Sequence, residues 1–257
     1  IPIICVGNIY VGGTGKTPVS IFIANELSAL GKKAVILRKF YKNHIDEHSL
    51  IKANSKNLLL TKKRSVGITE AEKKFDIVIL DDGFQDYNIA KNLNIICFNS
   101  NQLIGNGYLF PAGPLREGLS ALKKAQIILI NGSKNKNFEE KLLKINKDLD
   151  IFYSEYKPSN INQFENKKLL AFAGIGNPEN FFNLINFHNL KIEKKMTFPD
   201  HYRFSYSEIK KIVDIAKKEE LQIITTEKDY YKIKDFNINE IDYLKVELEI
   251  IKKDEFF

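Results

Sequence analysis

The stretch that decides the fold is Ile3-Ile-Cys-Val-Gly-Asn-Ile-Tyr-Val-Gly-Gly-Thr-Gly-Lys-Thr-Pro18. An apolar run of strand length leads into glycines, then Lys16-Thr17, and then a helix predicted from Pro18, which is the order of a P-loop. Glycines let backbone N–H groups converge on phosphate oxygens, and the helix N-terminus adds the positive end of its dipole. We therefore predict that the phosphates of a nucleotide bind here.

The predicted nucleotide-binding residues are Tyr10, Val11, Gly12, Gly13, Thr14, Gly15, Lys16 and Thr17. Lys16 is expected to reach the β- and γ-phosphates, and Thr17 to offer its hydroxyl to Mg²⁺. The strict pattern GxxxxGK[ST] requires glycine at Tyr10, but the glycines that follow supply the flexibility. Val11 stands where partition-type ATPases carry a lysine, and the Asn-Lys-x-Asp of GTPases is missing from the sequence. Both classes are therefore disfavoured.

Apolar runs of strand length alternate with helical stretches in the first part of the chain. The predicted strands are residues 1–6, 34–37, 57–60, 77–80, 94–98 and 127–130. Continuous apolar runs indicate a parallel sheet buried on both faces, and the amphipathic residues 18–30, stopped by Gly31, are predicted to pack on it as a helix. The predicted fold class is α/β, with a P-loop NTPase-like, mostly parallel sheet and flanking helices.

The composition changes after Lys134, where the chain becomes rich in Lys and Asn before a second βα pattern begins. In that pattern, residues 169–173 and 223–226 are predicted strands and residues 206–220 a predicted helix. We therefore predict a P-loop nucleotide-binding domain at residues 1–155. A smaller α/β domain at residues 156–257 is predicted to complete the active-site cleft.

The 257 residues include 39 Lys and Arg against 32 Asp and Glu, a formal charge of +7. This excess suits an anionic partner such as a nucleotide, a nucleic acid or an acidic lipid, or it is a solvated surface. Because Lys and Arg form no stripe with interleaved aromatics, no nucleic-acid partner is predicted. No run approaches the ~20 apolar residues of a membrane-spanning helix, and no signal peptide is visible, so a location in the cytoplasm or on the cytoplasmic face of a membrane is expected. Cys5 and Cys97, each inside an apolar run, are predicted to be buried and reduced.

Two further segments carry candidate chemistry close to the phosphates. Asp81 and Asp82 follow a buried strand and are predicted to hold Mg²⁺ directly or through water, although an Asp-Gly turn would look the same. Residues 105–117 form a long loop dense in Gly and Pro that ends in Arg116 and Glu117. Arg116 is predicted to stabilise the transferred phosphoryl charge and Glu117 to order the metal or its waters. A structural turn with a surface ion pair is the alternative.

A second acidic pair, Asp46-Glu47, lies between the second and third predicted strands. It is either a solvated loop or the source of a general base that accepts the proton of a hydroxyl. The adjacent His44 and His48 are expected at the surface.

These motifs together resemble the tetraacyldisaccharide 4'-kinases, the lipid A 4'-kinases, across nearly the whole chain. The matching segments are residues 6–18, 81–85, 105–117, 131–132, 172–178, 198–202 and 226–229. The resemblance implies an ATP- and Mg²⁺-dependent transfer of the γ-phosphate to the 4'-hydroxyl of an acylated glucosamine disaccharide 1-phosphate, the tetraacyldisaccharide 1-phosphate. It also implies a peripheral protein at the cytoplasmic face of the bacterial inner membrane.

The resemblance further implies that Asp46, which matches the Asp of the family's Gly-Asp-Glu motif, pairs with His201 to activate the hydroxyl. By itself, His201 would be taken for a loop residue. The family's Ser-Arg-Gly-Tyr is Arg38-Lys39-Phe40-Tyr41 here, and Ile45 replaces the Gly before Asp46. The family's usual N-terminal hydrophobic segment does not precede the first strand, so basic charge and exposed Phe and Tyr are expected to hold the lipid.

One alternative function stays open at the level of sequence. A P-loop regulatory ATPase would hydrolyse the nucleotide to switch the binding of a protein partner, without a small acceptor. Hydrolysis that is stimulated by protein and not by glycolipid would identify that class.

Overall fold

The structure is a computed structural model that describes residues 1–42, 45–200 and 202–257, and the side chains of all of these except Ile45 and Asp46. Its strands are β1 (Ile3–Gly7), β2 (Ala34–Lys39), β3 (Leu58–Thr61), β4 (Ile77–Asp81), β5 (Leu93–Asn99), β6 (Ile127–Asn131), β7 (Asp150–Pro158), β8 (Lys168–Ala173), β9 (Lys191–Thr197), β10 (Gln222–Thr226), β11 (Ile241–Leu244) and β12 (Val246–Ile251). Its helices are α1 (Lys16–Ala29), α2 (Ile45–Asn54), α3 (Arg64–Ala71), α4 (Lys136–Ile145), α5 (Pro178–Phe187), α6 (Tyr206–Lys218), α7 (Glu227–Ile233) and α8 (Lys253–Phe256).

The chain folds into two compact units. The first unit comprises Ile1–Tyr41, Ile51–Glu155 and Leu248–Phe257, and the second comprises Lys42–Leu50 and Tyr156–Glu247. The chain therefore enters the second unit twice, first for nine residues around the start of α2 and then for the segment that carries α5 to α7.

The first unit contains a sheet of eight strands in the order β12-β7-β6-β5-β1-β4-β2-β3. The neighbouring pairs from β7 to β3 are parallel. Successive residues of β4 point to opposite layers of core: Val78 and Leu80 face one layer, and Ile79 faces the other together with Val19 and Ile23 of α1. Because the central strands are buried on both faces, most of their side chains are apolar. The parallel sheet with helices packed on it confirms the predicted α/β class.

The second unit contains a smaller sheet of four parallel strands in the order β11-β10-β8-β9. Leu169 of β8 packs in one core layer with Phe182 of α5. Leu170, its neighbour, packs in the opposite layer with Ile209 of α6. The predicted strands at residues 169–173 and 223–226 and the helix beginning at Tyr206 are confirmed.

The six strands predicted for the first domain are all present, and the described residues form four further strands, β7, β9, β11 and β12, that were not predicted. Among those four, β9 carries alternating exposed side chains and therefore has no apolar run to reveal it. The predicted start of α1 at Pro18 is wrong by two residues. The helix begins at Lys16 because Gly15, in the left-handed region with φ 85°, is its N-terminal capping position.

Cys5 and Cys97 are buried and free, as predicted. Burial raises the pKa of the Cys5 thiol to about 12 and also raises the pKa of Cys97. In the described ranges, the helices are too short or too polar to cross a membrane.

The parallel strands place one edge of the larger sheet in position for a ligand. From β1 the chain continues to β2 on one side of the sheet, and from the neighbouring β5 it continues to β6 on the other side, so the connections of these adjacent strands leave in opposite directions. In open α/β sheets, ligands bind at the carboxyl ends of the strands at such a switch point. The segment after β1 is the predicted P-loop.

Candidate active site

The P-loop leaves the carboxyl end of β1 and delivers its lysine and threonine into the first turn of α1. Gly12 with φ 124° and Gly15 with φ 85° both lie in backbone conformations that a side chain would strain. The backbone N–H of Val19 donates to the carbonyl of Gly15 at 3.2 Å, which closes the first turn of the helix. The N–H groups of Lys16 and Thr17, at the N-terminus of this helix, have no acceptor within the helix and are therefore suited to bind an anion.

Two buried polar side chains hold the shape of the loop. The amide nitrogen of Asn8, whose side chain is fully buried, donates to the hydroxyl of Thr14 at 2.8 Å. The carbonyl of Asn8 accepts from the side-chain amide of Gln85 at 2.8 Å. The Asp-Asp-Gly-Phe-Gln segment after β4 is thereby tied to the P-loop.

The long Gly- and Pro-rich loop at residues 105–117 packs directly on the P-loop. The N–H of Val11 donates to the carbonyl of Pro114 at 2.7 Å, and the N–H of Arg116 donates to the carbonyl of Ile9 at 2.8 Å. Tyr10 and Leu115 form an isolated antiparallel bridge between the same two segments. These backbone bonds position Arg116 beside the loop, which sequence proximity alone does not indicate.

Asp81 is a fully buried carboxylate at the end of β4. Its oxygens accept hydrogen bonds from the hydroxyl of Thr17 at 3.2 Å and from the hydroxyl of Ser20 at 3.0 Å. The guanidinium of Arg38 also donates to Asp81 and, at 3.2 Å, to the hydroxyl of Thr17. The predicted Thr17–Asp81 pair is thus brought together, with an arginine that neutralises its charge.

Asp82 occupies a left-handed backbone conformation with φ 56° and points toward two cations. Its carboxylate lies 3.8 Å from the ammonium of Lys16 and 2.8 Å from the guanidinium of Arg116. Burial by itself would raise the pKa of Asp82, but the charges of Lys16, Arg116 and Arg38 outweigh it and lower the pKa below its usual value. Asp82 is therefore ionised and bridges the lysine of the P-loop to the arginine of the long loop.

Glu117 directly follows Arg116 in sequence, and its carboxylate is bound by a different partner. The hydroxyl of Tyr87 donates to one oxygen of Glu117. Burial and this carboxylate raise the pKa of Tyr87 to about 12. The ammonium of Lys124 lies 3.7 Å from the centre of the Tyr87 ring, a cation–π contact.

The predicted Asp46–His201 pair falls outside the described residues, since the side chain of Asp46 and the whole of His201 are not described. Their sequence neighbours are described. In the second unit, the ammonium of Lys228 lies 3.0 Å from the carboxylate of Asp200 and 3.7 Å from that of Glu47.

The expectation that His48 lies at the surface is wrong, because its side chain is buried with 7% exposed. Residues 45–54 form helix α2 rather than a loop. In a helix, positions three apart lie on one face, and Ile51, three residues after His48, is fully buried. His44 lies outside the described residues.

Sequence reasoning missed Ser20 and Arg38, which bind the carboxylate of Asp81, and Arg64, whose guanidinium donates to the backbone carbonyl of Asp82. It also missed the roles of Asn8 and Gln85, which tie the P-loop to the segment after β4. Arg38 had a signal, because it is a charge at the end of an otherwise apolar strand, where a buried partner is required. The register of the sheet pairs Arg38 of β2 with Asp81 of β4. Strand order therefore makes Asp81 the partner of Arg38, and strand order cannot be read from the sequence.

Replacing Arg38 by methionine is expected to lower the free energy of unfolding by about 3 kcal/mol, because it leaves Asp81 as a buried carboxylate without its cation. Both side chains are at most 4% exposed. Urea unfolding followed by circular dichroism measures the change. The matched control is Lys74→Met, which removes an exposed pair with Glu70 and should change the free energy by less than about 0.5 kcal/mol. Equal changes in the two variants would contradict the importance of the buried pair.

In the described part of the chain, three or more His, Cys, Asp and Glu side chains nowhere converge as a metal site. The cation that accompanies a nucleotide is commonly held by a P-loop hydroxyl and a single strand-end carboxylate together with the phosphates. Thr17 and Asp81 bring one such hydroxyl and one such carboxylate within 3.2 Å of each other.

Comparisons with known proteins identify relatives of this chain. A family model described as "Tetraacyldisaccharide-1-P 4'-kinase" matches residues 1–58 and 44–257. A tetraacyldisaccharide 4'-kinase of Pelagibacter ubique is 40% identical over 251 residues, which cover 96% of this chain and 80% of that protein. One from Rickettsia akari is 35% identical over 270 residues, covering 98% of this chain and 82% of that protein.

A solved structure shares the fold. The "apo" form of LpxK from Aquifex aeolicus in complex with ATP superposes with a TM-score of 0.74 at 23% identity. The match covers 100% of this chain and 86% of that one.

Proposed function

The chain belongs to the tetraacyldisaccharide-1-P 4'-kinase family, whose activity is that of an ATP-dependent lipid A 4'-kinase, and we propose which of its residues carry out the transfer. The observation that supports the assignment most directly is the P-loop lysine, 3.8 Å from a carboxylate that also binds Arg116. This arrangement surrounds the end of the P-loop with two cations. The donor is ATP and the acceptor is the 4'-hydroxyl of tetraacyldisaccharide 1-phosphate.

At the donor, the loop amides of Gly12 to Thr17 bind the phosphates, and Lys16 follows the γ-phosphoryl group as charge develops. Phosphoryl transfer depends mainly on positioning and electrostatic stabilisation, so cations held in advance lower the barrier. Arg116 contributes a second positive charge from the long loop. Glu117, bound by Tyr87, orders water or metal at the edge of this group.

Mg²⁺ fits the residues present, because the Thr17 hydroxyl and the Asp81 carboxylate are hard oxygen donors that already lie within hydrogen-bonding distance of each other. When bound, the ion neutralises negative charge on the phosphate oxygens. In this proposal Thr17 and Asp81 hold the ion. Asp82 assists through water and keeps Lys16 and Arg116 aligned.

At the acceptor, Asp46 with His201 takes the proton of the 4'-hydroxyl as its oxygen attacks the γ-phosphorus and the bond to the leaving ADP breaks. A general base of this kind is needed because an alcohol is a weak nucleophile at neutral pH. Support comes from the family's Gly-Asp-Glu motif and from Lys228, which pairs with the neighbours of both residues.

The experiment that tests the function is phosphate transfer from γ-labelled ATP to the disaccharide 1-phosphate acceptor. We expect label in the glycolipid, at a rate that depends on acceptor concentration. The matched control omits the acceptor and measures inorganic phosphate released from ATP. Release at the same rate with and without glycolipid, and no labelled lipid, would contradict the kinase and favour a regulatory ATPase.

The proposed location is the cytoplasmic face of the bacterial inner membrane, as a peripheral protein, because ATP is dissolved in the cytoplasm and the acceptor is a lipid. The tip of the long loop offers a contact for that membrane. Tyr108, Leu109 and Phe110 are 65%, 50% and 72% exposed, which is unusual for three consecutive large apolar side chains. The net charge of +7 adds attraction to anionic lipids.

Replacing Tyr108 and Phe110 by serine is expected to lower binding to anionic vesicles about tenfold, because two aromatic side chains no longer enter the interface. Flotation with vesicles containing anionic phospholipid measures the bound fraction. The matched control is Phe187→Ser, which removes an equally exposed aromatic from the end of α5. A bound fraction that does not differ between the tip variant and the control would count against the tip.

A further inference from the structure

Lys228 lies on a backbone segment of the second unit that several hydrogen bonds hold in place. It lies in the first turn of α7, which is capped by Thr226: the N–H of Asp229 donates to the threonine hydroxyl at 3.1 Å. Asp229 is fully buried and accepts from the N–H of Gly174 at 2.7 Å and from Lys232 at 2.7 Å. These bonds anchor the start of α7 to the end of β8, so the backbone that carries Lys228 has little freedom.

From this anchored turn, the side chain of Lys228 reaches two carboxylates on separate segments. Its ammonium lies 3.0 Å from Asp200, which directly precedes His201, and 3.7 Å from Glu47, which directly follows Asp46. The exposed fractions are 17% for Lys228, 16% for Glu47 and 36% for Asp200. Ion pairs that are partly withdrawn from water are screened less than exposed ones.

We propose that Lys228 is the positioning residue of the acceptor-activating pair: its single charge holds the start of α2 and the segment before α6 together, so that Asp46 and His201 act as one base. Lysine suits this task because its ammonium has three donors and binds two carboxylates from different directions. The inference rests on the proposed function of Asp46 and His201. In this role Lys228 acts through the pair and not on the transferred group.

The first test compares Lys228→Met with Lys228→Arg at saturating ATP and acceptor. We expect kcat to fall about 30-fold in Lys228→Met, because a misplacement of about 1 Å in a reacting group costs this order of rate, with KM changed less than about twofold. Lys228→Arg, which keeps the charge, should return kcat to within about threefold of the wild type. The control Lys217→Met removes an exposed lysine of α6 that pairs with Glu240 and should leave kcat unchanged.

A double-variant cycle with Asp46→Ala separates positioning from general structural damage. If Lys228 acts through the pair, Lys228→Met should lower kcat less than about threefold when Asp46 is already absent. The same fold loss in both backgrounds, or a rise in the acceptor KM at constant kcat, would overturn the proposal. Asp200→Asn removes the charge of one of the two carboxylates that Lys228 binds. It should lower kcat by a similar factor to Lys228→Met. Normal circular dichroism spectra are required of every variant.

The failures of the two proposals are distinguishable. Full activity in Asp46→Ala would remove the proposed acceptor pair and with it the role of Lys228. A strongly impaired Asp46→Ala beside a fully active Lys228→Met would overturn only the positioning role.

Discussion

Replacing Lys16 by methionine is expected to lower kcat about 10³-fold, because the ammonium that follows the γ-phosphoryl charge is lost from a site where it is held in advance. Lys16 is only 12% exposed at its side chain and lies 3.8 Å from Asp82. Methionine keeps the length and apolar stem of the lysine, so the change removes charge with little loss of packing. Interactions that strengthen in the transition state affect kcat more than ground-state binding.

The measurement is the initial rate of labelled phosphate transfer at saturating substrates, with the ATP dissociation constant measured separately. Lys32→Met is the matched control, because Lys32 is an exposed lysine just after the same helix. Its kcat should equal that of the wild type. Equal kcat in Lys16→Met and Lys32→Met would show that the P-loop does not carry the transfer.

The second large effect is expected at the acceptor. Asp46→Ala and His201→Ala should each lower kcat by about 10³-fold, since a general base contributes roughly 10² to 10⁴ in rate. Two groups that work as a unit are not additive, so the double variant should lie within about threefold of the slower single variant. ATP affinity should change little, because the pair acts on the hydroxyl and not on the nucleotide.

The controls for the pair are Asp235→Ala, an exposed carboxylate, and His188→Ala, a histidine at the end of α5. Both should retain wild-type kcat. Additive losses in the double variant would mean that Asp46 and His201 serve different steps. Undiminished activity in either single variant would refute the pair.

Much of the fold was predictable because its signals are contiguous in sequence. The strands of the larger sheet are buried on both faces, so runs such as residues 77–80 are continuously apolar and stand out from the helices. Strand β9 was not predictable in this way, since its side chains alternate at a surface. Strand β12 joins the larger sheet from the end of the chain, beside β7. The pairing of strands that are so far apart in sequence depends on tertiary packing, which a short stretch of sequence does not reveal.

The candidate site likewise has residues that were predictable from the sequence and residues that were not. Gly12 to Thr17 were predictable as a phosphate loop because strand, glycines and helix start follow one another within a few residues. The cation partners of the carboxylates were not predictable. Arg116 lies 34 residues from Asp82 and Arg38 lies 43 residues from Asp81.

The sequence by itself predicted a phosphate loop at Gly12 to Thr17, because such a loop needs only glycine flexibility between a strand and the start of a helix. Only the tertiary structure decided which cationic side chains lie beside Asp81 and Asp82. The parallel register sets Arg38 beside Asp81, and backbone bonds between the long loop and Ile9 set Arg116 beside Asp82. Electrostatic interactions depend on distance in space, and folding alone brings such separated residues within a few ångströms.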